Sequence, residues 1–223
     1  MIRKKNDKGE WLEFSLLQNF PNVLHGVLVK GCLEADFLHH SGIPSSISSQ
    51  QVHGSVVKDI EDLVLDPKSD GLFTRQSNIA LSIRHADCQA AIFYDPIQNA
   101  IANIHCGWRG SVQNIYGKAI QTMKDTLGSK AEDLIVCISP SLGPDHAEFL
   151  NFEDEFPFDF WPFQVRPCYF DLWQISRNQL EEAGVKSANI EIAEICTYDH
   201  PSDFYSYRRD KTAHRNHTLV ALR

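Results

Sequence analysis

Apolar and polar residues alternate through Ile79, Leu81 and Ile83, and apolar residues then run unbroken over 90–94 and again over 100–104. Alternation predicts a strand with one buried face, whereas the unbroken runs predict strands covered on both faces. Asp95-Pro96-Ile97-Gln98-Asn99 supplies turn residues between the last two, which are expected to pair as a hairpin. The period then changes. Val112, Ile115, Tyr116, Ala119, Ile120, Met123 and Leu127 recur at helical spacing, with a start near Trp108 to Ser111 and Gly128 placed to end the helix. Further on, 134–138 predicts a buried strand, and Asp171-Leu172-Trp173-Gln174 the capping box of a helix that stops near Gly184. Residues 190–196 and 218–222 predict closing strands. Strands and helices without a βαβ rhythm predict an α+β fold, a mixed sheet packed with helices.

The loop signal at 41–46 and the aromatic, acidic stretch 149–163 are too short and too apolar for domain linkers, so 1–223 is expected to be one domain. A net charge of -8 leaves no electrostatic footprint for nucleic acid or an anionic membrane surface. Any anionic substrate therefore needs a local cluster of cations. The basic start, residues 1–8, runs into Gly9-Glu10-Trp11 rather than an apolar segment, and no stretch reaches membrane-spanning length. Six cysteines without an export signal and without a C-x-x-C pair read as reduced thiols of a cytoplasmic protein. Self-association is left open.

Three residues are candidates for one metal centre: His53 in Gln51-Val52-His53-Gly54, Cys88 in Ala86-Asp87-Cys88, and His105 in His105-Cys106-Gly107-Trp108-Arg109-Gly110. Two imidazoles and a thiolate suffice to hold Zn²⁺ with a fourth position open for chemistry. Cys88 follows one predicted strand and His105 ends another, so a sheet edge brings them together and a loop carrying His53 completes the triangle. Glycines 54 and 107 permit close backbone approach, and Asp87 is a candidate acceptor for a ligating imidazole. The same donors are the equatorial set of a blue-copper centre. Against copper, only Met1 and Met123 offer an axial thioether, and no His-x-His pair exists to build a multinuclear cluster. A metal-free cysteine hydrolase, with Cys88 as nucleophile and a histidine base, is the other enzymatic alternative. The remaining histidines, 25, 39, 40, 85, 146, 200, 214 and 217, are read as structural.

These blocks, with Asp95-Pro96, Cys196-Thr197 and Tyr207-Arg208-Arg209-Asp210, resemble in order and spacing the purine nucleoside phosphorylase family formerly labelled laccase-like or multicopper polyphenol oxidase, from about residue 24 to the C-terminus. The resemblance implies zinc held by His53, Cys88 and His105, and a cytosolic enzyme that cleaves adenosine or inosine with phosphate to free base and ribose-1-phosphate. Adenosine deamination is the implied companion activity; action on cell-wall peptide precursors is the hydrolase version. Phosphate is expected at the helix start beside Arg109, with Arg208 and Arg209 as further substrate-binding cations. Asp87 and His85 are the candidates for proton transfer. The chain departs from the family pattern at His85, at Val29-Lys30, and at Ser139-Pro140-Ser141-Leu142-Gly143-Pro144-Asp145-His146-Ala147-Glu148.

Overall fold

The computed structural model describes residues 1–223. Two six-stranded mixed sheets stack on each other; Ile115–Leu127 and Leu172–Glu182 cover the outer face of one, and Glu34–Ser41 packs Phe37 on the outer face of the other. The first sheet orders Ile2–Asn6, Gly9–Glu13, Val23–Leu28, Asn216–Leu222, Ile79–His85 and Ser45–Ile47; the second orders Ile190–Ile192, Ile135–Ile138, Gln89–Asp95, Ala100–Cys106, Gly71–Thr74 and Val57–Asp59. Pairing is antiparallel except at Ser45–Ile47 against Ile79–His85, Val57–Asp59 against Gly71–Thr74, and Ile135–Ile138 against Ile190–Ile192.

The unbroken apolar runs have a physical reason. Ile92, Tyr94 and Ile101 face the first sheet, where they meet Leu12, Val27, Leu81 and Val220; Ala91, Phe93, Ala102 and Ile104 face the helix layer, where they meet Ile115, Tyr116, Ala119 and Leu180. A strand covered on both sides has no polar alternation to show. Asn103 is fully buried between the sheets, and its amide donates to the carbonyls of Leu81 and Thr218 at 2.9 and 2.8 Å. That pair of bonds satisfies both donors of the amide and ties two strands of the first sheet to the second, while its Oδ1 is buried without a partner.

The hairpin forms as expected, Gln89 opposite Cys106 through Asp95 opposite Ala100, and its turn is tied by Asp95, which accepts from the N–H of Ile97 and Gln98. The long helix does not form as one piece. Trp108–Val112 is a five-residue helix, and Ile115–Leu127 is a separate one that ends at Gly128 in the left-handed region. Asn114 makes the break: it adopts φ +51° and its side chain accepts from Gly117 N–H, capping the second helix. Asp171 caps Leu172–Glu182 by accepting from Trp173 and Gln174, but the box is one-sided, because Asp171 N–H donates to Phe163 instead. The closing strand stops at Ile192; Glu194 at φ +50° turns the chain out of the ladder. The amino-terminal hairpin Ile2–Asn6 with Gly9–Glu13 carried no sequence prediction.

Glu34 anchors the helix Glu34–Ser41 to the edge of the first sheet, accepting from Ser46, Ser82 and His217. Burial alone pushes its carboxyl up, but these three bonds outweigh it and hold the group at about 2. A depressed carboxylate adds stability that is present above its unfolded value and lost as pH falls through the folded one. Discounted for partial exposure, Glu34→Gln is expected to cost about 1–2 kcal/mol at pH 7. Urea unfolding should show that difference shrinking from about pH 4.3 toward pH 2. A deficit unchanged at about pH 2.5 would assign the loss to packing.

Candidate metal centre

Continuing the hairpin register by one pair sets Cys88 opposite Gly107, with His105 two residues further along the same strand. His53 arrives on the loop between Ser45–Ile47 and Val57–Asp59, in the left-handed region at φ +60°. One carboxylate holds that loop. Asp70, with no exposed surface, accepts the N–H groups of Val52, His53 and Gly54 at 3.3, 2.9 and 2.7 Å, and its Oδ1 also lies 3.0 Å from Nδ1 of His105. An ionised carboxylate only accepts, so His105 carries its proton on Nδ1 and leaves the Nε2 lone pair free. Burial raises the Asp70 pKa, and the bonds from His105, Gly54 and His53 more than reverse that.

His53, Cys88 and His105 converge. One donor atom from each lies within 4.8 Å of the others, and the two imidazole rings sit 4.8 Å apart at 87°. A Cβ added to Gly107 would come to 3.0 Å from the Cys88 sulfur and 3.3 Å from a ring carbon of His53. A side chain there would press on two of the three ligands, which would have to give by a few tenths of an ångström. The donor set fits a borderline-soft divalent ion: a thiolate, an imidazole whose tautomer is fixed by a carboxylate, and a second imidazole pushed toward the neutral form by burial. Burial, with Cys106 and Asp87 nearby, pushes the Cys88 thiol up to about 12. A thiol so held is a poor nucleophile at neutral pH, which counts against a metal-free cysteine hydrolase. Met123 is fully buried in the helix layer and the Met1 amino group pairs with Glu191, so neither belongs to the cluster as an axial copper ligand.

Cys88 stands on a wall shared by two cavities. One, of about 470 Å³, is lined by Trp108, Phe149, Tyr207, Arg109, Arg208 and Lys211; the other, of about 600 Å³, by His53, His105, His85, Arg84 and Arg215. Both fall in the range of small-molecule sites. Arg109 stacks on Trp108 with its guanidinium carbon 4.2 Å from the ring centre, and Arg208 donates one bond to Glu148 O. Both line the first cavity. Arg209 does not. Its guanidinium donates to the carbonyls of Thr197, Tyr198 and Phe204 and twice to Asp210, so all five N–H donors are engaged in holding the turn and none is left for a substrate.

Asp87, at φ +82°, accepts from Thr197 Oγ1 at 2.7 Å and from Arg208 N–H at 2.6 Å. It clamps three segments beside Cys88. The carboxylate partner of a metal-facing imidazole is instead Asp70, whose only sequence signal is an Asp-Gly pair of the kind that marks a turn. His85 is buried, with Nε2 2.9 Å from Thr218 Oγ1, and burial pushes it down to about 3. The anticipated phosphate cradle at a long helix start becomes the start of a five-residue helix, with correspondingly few aligned peptide dipoles.

A family model described as multi-copper polyphenol oxidoreductase laccase matches residues 34–223. The chain is 36% identical over 151 residues to a purine nucleoside phosphorylase of Bacteroides thetaiotaomicron, covering 63% of this chain and 55% of that protein. It is 30% identical over 151 residues to purine nucleoside phosphorylase YlmD of Bacillus subtilis, covering 64% and 54%. The chain thus spans about half the length of these curated relatives. The fold is shared with the crystal structure of YlmD from Geobacillus stearothermophilus, at TM-score 0.83 and 22% identity over 100% of this chain and 99% of that one. It is shared also with hypothetical protein YfiH of Bacillus licheniformis, at TM-score 0.81 and 20% identity over 99% of each chain.

Proposed function

The chain belongs to the multi-copper polyphenol oxidoreductase laccase family, and from that membership we propose that it is a zinc-dependent purine nucleoside phosphorylase of the cytoplasm, acting on adenosine or inosine. The observation that carries the reading is the convergence of His53, Cys88 and His105 at the boundary of two cavities, with Cys88 reaching the one that Trp108, Phe149, Arg109, Arg208 and Lys211 line. The names of the relatives supply the reaction. No helix is long and apolar enough to cross a membrane, and none of the six cysteines is paired, which fits a reducing compartment.

In this reading a phosphate oxygen attacks C1′ of the nucleoside, the bond from C1′ to the purine nitrogen breaks, and the base leaves with the electron pair and takes up a proton. Trp108 and Phe149 offer apolar faces to the purine. Arg109, Arg208 and Lys211 gather the cations that an acidic chain must concentrate locally to hold phosphate. Fixing both reactants in one cavity makes the attack effectively unimolecular, worth on the order of 7–11 kcal/mol. His53, Cys88 and His105 would hold the Zn²⁺, which when bound would supply Lewis-acid polarisation. Asp87 acts as a positioning residue, keeping Arg208 and the Cys88 loop in one arrangement. Deamination of adenosine is the second outcome we propose for the same site.

The test is elemental analysis of the purified protein together with an assay for free base and ribose-1-phosphate from inosine and adenosine. Product formed only with phosphate supports phosphorolysis; inosine formed from adenosine without phosphate reads deamination. Turnover of neither nucleoside by zinc-loaded protein rejects the assignment. Arg109→Ala, which removes a charge-assisted contact worth about 1.5–3 kcal/mol, should raise the phosphate KM about tenfold or more with a smaller change in nucleoside KM. Equal effects on both would place Arg109 elsewhere.

A further inference from the structure

Two turns meet where the chain departs from the family pattern, the first of them inside the segment 139–148. The first, 143–146, closes through His146 N–H donating to Gly143 O; the second carries Cys196 and Asp199, three residues apart, and His200 Nδ1 folds back to Cys196 O at 2.9 Å. His146 Nε2 lies 2.7 Å from Asp199 Oδ1, and its ring stacks on Tyr198 at 3.8 Å and 18°. Beside that pair is the sulfur of Cys196, a residue with 8% of its surface exposed. One donor atom from each of His146, Cys196 and Asp199 lies within 4.8 Å of the others.

We propose that His146, Cys196 and Asp199 form a second divalent-cation site, selective for a borderline-soft ion such as Zn²⁺ and separate from the centre at Cys88. Imidazole, thiolate and carboxylate are the three donor types that zinc takes. The charges balance, since a thiolate and a carboxylate with a neutral imidazole carry -2 against +2. Gly143 N–H donates to the sulfur at 3.3 Å, and the amides of Tyr198 and Asp199 face it, oriented dipoles of the kind that support a ligating thiolate. The side chains of His146 and Asp199 are 28% and 50% exposed, so an ion has a path in and water can complete the shell. On binding, the cation takes Nε2 of His146 in place of the proton shared with Asp199, the imidazole stays neutral with its proton on Nδ1, and the Cys196 proton leaves to solvent.

Its role is that of a staple. Ser141 and Cys196 are already bridged, Thr197 N–H donates to Ser141 O, and Thr197 Oγ1 reaches Asp87. An ion here ties the strip carrying Leu142 and Phe149, one wall of the aromatic cavity, to the turn that clamps Asp87.

The test is metal stoichiometry on tag-free, full-length protein stripped with chelator, reloaded with Zn²⁺, desalted and measured by mass spectrometry. Wild type is expected to hold two equivalents, Cys196→Ala, His146→Gln and Cys88→Ala one each, and Cys88→Ala/His146→Gln none. With Co²⁺ as probe, the thiolate-to-metal absorption should lose about half its intensity in Cys196→Ala and in Cys88→Ala. Should Cys196→Ala fail to fold, the surface variant His146→Gln decides alone. A single equivalent in wild type that disappears in Cys88→Ala, or a second equivalent that survives in His146→Gln, overturns the second site while leaving the first intact. A single equivalent lost in His146→Gln but retained in Cys88→Ala supports the second site and rejects the first.

Discussion

Replacing Cys88 by alanine should empty the centre it shares with His53 and His105 and reduce nucleoside turnover by more than the ~10–100-fold that loss of an outer partner of a metal ligand costs. The reason is charge as much as geometry. Cys88 is the one anionic donor of the three, and its removal leaves two neutral imidazoles, with Asp70, the carboxylate that touches His105, committed to that ring and to three backbone N–H groups. A neutral pair on an open site binds zinc far more weakly than a thiolate does. The fold should survive, because the loop around Cys88 is held by Asp87 through Thr197 and Arg208 rather than by the thiol. Circular dichroism should therefore be unchanged while the zinc equivalent and phosphorolysis are lost together. Turnover retained in Cys88→Ala would reject the centre as the seat of the reaction.

The elements that carry this centre were legible because their patterns are regular. Two apolar runs joined by Asp-Pro-x-x-Asn read as a hairpin, and the register of that hairpin alone brings Cys88 beside His105. His53 was legible only through its resemblance to a family block, since nothing in residues 48–56 shows by periodicity where the loop folds. Asp70 was not legible at all: an Asp-Gly before a short strand reads as a turn, and its burial depends on three N–H groups contributed by another segment. The adjacent pair Arg208 and Arg209 makes the same point. They are alike in sequence, yet one faces the cavity and the other spends five donors on its own turn, a distinction set by long-range placement of carbonyls. The helix break at Asn114 had a local signal, an Asn able to enter the left-handed region and cap the second helix. The hydrophobic period continued across it and concealed it.

Asp70→Asn is expected to lower stability by about 3 kcal/mol and zinc affinity at the Cys88 centre by roughly 10–100-fold, although Asp70 touches no metal-facing atom. Four donors point at its two oxygens. An amide offers one oxygen and one NH₂, so whichever way the substituted side chain turns, the NH₂ confronts N–H groups in a buried place, at about 1–3 kcal/mol for each group left unsatisfied. If the NH₂ faces His105, Nδ1 must become the acceptor and the ring proton moves to Nε2, which deletes the lone pair the metal needs. If it faces Val52 and Gly54, the His53 loop loses the contacts that hold it at φ +60°. Either orientation damages a ligand. The sign of the pH dependence separates charge from shape. The Asp70 carboxyl is held below its ordinary value, so its contribution to stability is full above about pH 3.9 and is lost as pH falls through the depressed value; the gap between wild type and Asp70→Asn should narrow below about pH 4. Denaturant unfolding at about pH 7 and about pH 3, paired with chelator competition for zinc, measures both effects. Wild-type zinc affinity in Asp70→Asn would mean that His105 does not owe its tautomer to this carboxylate.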